Sequence, residues 1–148
     1  MVGVVALVGA ASVFAVPLAG RRVDRRGPDS VNVVCFAGVA VAGLVLLGGL
    51  AHGPAGLCAL VAGMLLLDVS VQSSQIANQA RIFALVPGSR SRLNSVYMTS
   101  VFLGGSVGSW IGARAYLTLG WTALCMLLVA AAAAALLRHA RYRRARTS

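Results

Sequence analysis

Residues 31–50 read VNVVCFAGVAVAGLVLLGGL, twenty positions with no side chain charged at neutral pH. Wound as a helix at about 1.5 Å per residue, such a stretch covers the ~30 Å hydrocarbon core of a bilayer. Its apolar positions do not alternate with period two, as lipid-facing barrel strands require, and lipid admits only helices or closed barrels. Turn chemistry bounds it on both sides: Gly27-Pro28-Asp29-Ser30 before it and Ala51-His52-Gly53-Pro54 after it. The stretch reads as a transmembrane helix.

Four further runs of this kind flank it, at residues 2–19, 55–77, 93–115 and 118–137. The expected architecture is an all-α, polytopic transmembrane helix bundle of five spans. It forms a single integral membrane domain over residues 1–148, ending in a basic cytoplasmic tail at 138–148. Composition agrees: 59% of the chain is hydrophobic and only 11% charged, against about 25% charged in soluble domains. So few charges cannot cover a water-exposed surface.

The net charge is +10, from 13 arginines and three aspartates, with no lysine or glutamate. The arginines form no single stripe of the kind that follows a nucleic acid, and no nucleic-acid partner is expected. They cluster at span ends instead. Four follow the first run, three follow the third and five follow the fifth, while Arg114 stands alone on the other side. Positive residues stay in the cytoplasm, so the N-terminus is expected outside and the C-terminus inside, in a multi-pass protein of the cell (plasma) membrane. The first run has its arginines after the apolar stretch; a cleavable signal peptide has them before it.

Chemistry-bearing residues are few. Asp68, Gln72, Gln75 and Gln79 recur at steps of four, three and four, which places them within an arc of about 60° on one helix face. A carboxylate at mid-depth costs about 2.5–3.5 kcal/mol on insertion scales, so Asp68 must face protein or a water-filled cavity. The stripe therefore reads either as the lining of a solute pathway or as hydrogen-bonding glue inside the bundle. Ser100, Gly104, Gly108 and Gly112 recur every four residues, with Gly105 beside them, and small residues at that spacing make a helix-packing face. Trp110, Tyr116 and Trp121 suit an outer interfacial belt. Cys35, Cys58 and Cys125 match no metal or redox spacing, and His52 and His139 have no ligand partners nearby in sequence. No nucleophile–base pair, paired carboxylates or phosphate loop is present, so neither enzymatic activity, nor a cofactor, nor a metal is expected.

The segment Gly20-Arg21-Arg22-Val23-Asp24-Arg25-Arg26-Gly27 is a tight, mixed-charge turn. It resembles the cytoplasmic signature of the major facilitator superfamily, glycine-x-x-x-aspartate-arginine-x-glycine, matching it at Gly20, Asp24, Arg25 and Gly27. Pro28 departs from the usual basic residue, as is common in the weaker copy between the eighth and ninth helices. Residues 68–85, DVSVQSSQIANQARIFAL, look like the tenth helix of bacterial efflux permeases of that superfamily, and Arg90-Ser91-Arg92-Leu93-Asn94 resembles the entry to the eleventh. The resemblance implies helices eight to twelve of a twelve-helix transporter, hence a partial major-facilitator fold. It further implies a gating role for Asp24 and, as partners, the lipid bilayer, an N-terminal transporter half and a small solute. The expectation is a C-terminal fragment of a secondary active transporter of efflux type, inactive alone. The alternative is a self-standing small membrane protein that works by helix–helix assembly, without transport.

Overall fold

A computed structural model describes residues 28–84 and 88–147. Helix α1 (Pro28–Leu47) opens on proline, whose missing N–H is no loss at a first helical position, and carries Asp29 in its first turn, beside the positive end of the helix dipole. A 3-10 turn, Gly48–Leu50, closes it. Gly53 then takes φ +84°, a conformation that strains any residue with a Cβ, and Pro54 opens α2 (Pro54–Phe83). The last element, α3 (Arg90–Thr147), is interrupted at Gly120, with φ +79° and ψ −168°. Gly112 and Leu124 would stand about 18 Å apart along an unbroken helix, yet a methyl built on Gly112 would lie 3.3 Å from Leu124 Cδ1. The chain therefore doubles back at Gly120, leaving two limbs, 90–119 and 121–147.

The described residues are all-helical, with no strand, and hold three helices long and apolar enough to cross a membrane: Asp29–Leu50, Pro54–Phe83 and Arg90–Tyr142. This differs from the five spans expected. The first expected span, 2–19, lies outside the described residues, and the fourth and fifth are limbs of one element. The connection expected at 116–117 is helical, because Tyr116 and Leu117 have ordinary helix propensity and only Gly120 relieves a positive φ. Helix α2 runs on to Phe83, six residues past the expected 55–77. The expected basic tail is likewise helical as far as Thr147, and its His139 is buried, with its ring edge-on to Phe36 at 6.4 Å.

Helix α1 is the centre of the bundle. Against α2 it runs antiparallel, with contacts pairing Asp29 with Arg81, Asn32 with Asn78 and Ser74, and Gly63 with Leu46 in order. Against the 121–147 limb it is antiparallel too: Trp121 Nε1 donates to the Leu46 carbonyl at 2.9 Å, Gly43 abuts Val129, and Phe36 meets His139. Lipid supplies no hydrophobic force to drive helices together, so association depends on close approach of small surfaces. On α2 those surfaces are Gly56, Gly63, Ser70 and Ala77, all buried and seven residues apart, a repeat that returns to one helix face with only about 20° of drift. Across the seam, Ala42 is fully buried, and a methyl on Gly38 would overlap Ser70 Oγ.

The 90–119 limb is different. Phe102 is 72% exposed and Leu117 77%, and methyls built on Gly104, Gly105 or Gly108 would meet nothing within 4 Å.

Candidate functional site

Polar side chains gather where the start of α1, the end of α2 and the far end of the 121–147 limb converge. Asn32, only 2% exposed, donates through Nδ2 to Asn78 Oδ1 at 2.9 Å and accepts through Oδ1 from Ser74 Oγ at 3.0 Å. Asn78 Nδ2 in turn donates to Ser74 Oγ at 3.4 Å. One turn further out, Arg81 Nη1 donates to Asp29 Oδ1 at 2.9 Å, and its guanidinium lies 5.0 Å from the centre of the Tyr142 ring. Arg81 thus joins three elements. Its place in the last turn of α2 also suits the negative end of that helix.

A cluster of this sort braces helices more readily than it binds a solute, because each amide already has its partners. The ion pair itself is half-solvated, with Arg81 31% and Asp29 36% exposed, and such pairs contribute about 0–1 kcal/mol. Replacing Arg81 with glutamine is therefore expected to lower the unfolding midpoint in detergent by less than about 4 °C. A larger fall in a thermal-shift measurement would mean that the clasp, not the buried amide network, holds this end together.

The stripe seen in the sequence lies elsewhere on α2. Counted at 100° per residue, Asp68, Gln72, Gln75 and Gln79 centre about 160° around the helix from Gly63, Ser70, Ser74 and Ala77, the face buried on α1. Among the described residues the side chains of Gln72, Gln75 and Gln79 make no hydrogen bond, whereas the Gln75 carbonyl accepts from Tyr97 Oη at 3.4 Å. Asp68 is half-buried at the middle of α2. Asn78, next to Gln79 in the chain, is part of the amide network.

Described residues that are all-helical, in long apolar helices with a polar line turned off their packing seam, mark a membrane protein. It is similar to a transporter. The relative is the uncharacterized transporter YgaY of Escherichia coli, in strain K12 and in strain O157:H7, each 44% identical over 85 residues. That match covers 56% of this chain and 22% of the relative, so the chain spans about a fifth of the length of the curated relatives it matches. No family model and no solved structure matches.

Of the other residues singled out in the sequence, Gly20, Asp24, Arg25 and Gly27 lie outside the described residues. Ser100 is exposed and turns its hydroxyl back to the Val96 carbonyl at 2.9 Å. Gly104 and Gly108 face open space, and Gly112 is buried beside Leu124 at the turn of the hairpin. Sequence reasoning missed Asn32, Ser74 and the Asp29–Arg81–Tyr142 group. It also missed the small-residue seam on α2, for which the seven-residue recurrence of Gly56, Gly63, Ser70 and Ala77 was an available signal.

Proposed function

We propose that this chain is the C-terminal part of a secondary active transporter of the major facilitator type, exporting small solutes and inactive by itself. In that reading its spans correspond to helices eight to twelve of a two-half machine that rocks about a midplane site. The similarity to a named transporter, of which the matched stretch covers 22%, supports this. One observation carries it furthest. Among the described residues the side-chain hydrogen bonds from α2 to α1 are made by Ser74, Asn78 and Arg81, so Gln72, Gln75 and Gln79, on the other face, are not needed as glue between α1 and α2. A polar line that costs insertion energy and does not brace that seam fits a solute pathway better. The arginine distribution supports a cytoplasmic C-terminus in the plasma membrane. So does the aromatic pair Tyr116–Trp121 at the opposite end, beside Gly120.

Substituted-cysteine accessibility tests the pathway reading. In a background with Cys35, Cys58 and Cys125 changed to alanine, Gln72→Cys should react with a water-soluble maleimide at least about tenfold faster than Val41→Cys. Val41 is an exposed position on α1 at the depth of Asp68. Thiolate chemistry needs water, so equal slowness at both positions would turn the reading towards a helix-assembly protein without a pathway. Flux of small solutes through proteoliposomes of the chain alone would remove the claim that it is inactive by itself.

A further inference from the structure

The bundle divides unequally. Helices α1 and α2 and the 121–147 limb are tied to one another by Asn32–Asn78–Ser74, by Arg81 with Asp29 and Tyr142, by the Trp121–Leu46 hydrogen bond and by the Phe36–His139 contact. Among the described residues the 90–119 limb is tied only at its ends. At its far end the Tyr97 hydroxyl is what touches α2, at the Asn78 side chain and 3.4 Å from the Gln75 carbonyl, the latter well beyond the 2.5–3.0 Å of an ordinary O–H···O bond. At its near end Gly112 meets Leu124 beside the turn. Gly120 and Gly88 mark its two ends, both at positive φ, and a methyl on either would meet nothing within 4 Å.

We propose that residues 90–119 form a swinging arm, pivoting at Gly120 and held in the present position by Tyr97, against a fixed unit of α1, α2 and the 121–147 limb. The physics of lipid permits it. In water, moving an apolar helix away from its neighbours exposes surface at about 25 cal/mol per Å². In a bilayer, lipid tails replace the lost contacts at little cost, and the helix satisfies its own backbone hydrogen bonds. The lever is long: from Gly120 to Tyr97 is about 35 Å of helix, so a small change at the pivot moves the Tyr97 end far. The inference stands apart from the transport reading, since it concerns motion and not a solute.

Electron-spin distance measurements in lipid nanodiscs test it on the full chain without its native cysteines. Leu50, Val96 and Leu137 are all exposed, so labels there perturb little. The Leu50→Cys/Leu137→Cys pair spans the fixed unit and should give one narrow distribution. The Leu50→Cys/Val96→Cys pair reports the arm and should give a distribution at least about twice as wide. Adding Tyr97→Phe should widen or shift the second pair and leave the first unchanged. Equal widths for both pairs, with no response to Tyr97→Phe, would overturn the proposal; so would equal broadening of both, which would mean a bundle loose throughout.

Discussion

Replacing Gly63 with leucine should lower the unfolding midpoint of the chain in mild detergent by about 10 °C or more. A Cβ at this position alone would stand 2.7 Å from Leu46 Cγ and 3.2 Å from the Leu46 backbone nitrogen. The clash reaches main chain, so a side-chain rotation cannot relieve it and α1 must move off α2. Overpacking a close-packed contact costs about 1–3 kcal/mol for small additions, and a leucine adds four carbons where not even one fits. Gly108→Leu is the matched control. It adds the same group to a helix face with nothing within 4 Å, and its midpoint should stay within about 2 °C of the parent. Fluorescence-detected size-exclusion after a heating series reads both. Equal loss in the two variants would show that the 90–119 limb is packed as tightly as the α1–α2 seam.

The second large effect is expected at Asn32. Alanine there removes the acceptor of Ser74 Oγ and the donor to Asn78 Oδ1 together, in a site where Asn32 is 2% exposed. Hydrogen bonds between membrane helices average only about 0.6 kcal/mol, but buried polar groups left without partners cost about 1–3 kcal/mol each. The single variant should therefore lose about 2–3 kcal/mol, a midpoint shift of roughly 5–10 °C. The same asymmetry gives a sharper check. Changing Asn32, Ser74 and Asn78 to alanine together removes the orphaned groups as well, and should recover about half of the loss. A triple variant worse than the single one would mean that the hydrogen bonds themselves, and not the orphaned groups, dominate this network.

Membrane helices were legible in the sequence because hydropathy over twenty residues needs no knowledge of partners: residues 31–50 declare themselves alone. Which face of each helix packs was not. Four-residue spacing made Ser100, Gly104, Gly108 and Gly112 look like the packing face, yet among the described residues only Gly112 meets a neighbour. Packing is a property of two surfaces. Gly63 and Ser70 are buried because Leu46 and Gly38 lie opposite them, and Ala77 because Val31 and Cys35 do, and one strand of text does not display that opposition. For the polar residues the failure has the same origin. Asn32 sits in a run of valines and Asn78 among glutamines, 46 residues away, so their partnership exists only once α1 and α2 are antiparallel. The Asp68 stripe was visible because its members share one helix, where 100° per residue is enough.

The turn at Gly120 bears on how the chain enters a bilayer. A loop that must be carried across the hydrocarbon drags its hydrated peptide groups with it, and each unpaired group costs several kcal/mol there. Between the limbs 90–119 and 121–147 a single residue leaves helical geometry. Close by, the Thr118 hydroxyl is already spent on the Arg114 carbonyl at 2.8 Å, and the guanidinium of Arg114 lies 5.8 Å from the Trp110 ring centre. The two limbs can thus be threaded as one closed hairpin, with almost no wet backbone at its tip. Arg114 is then the main electrostatic toll of translocation, and it makes the crossing beside an aromatic face.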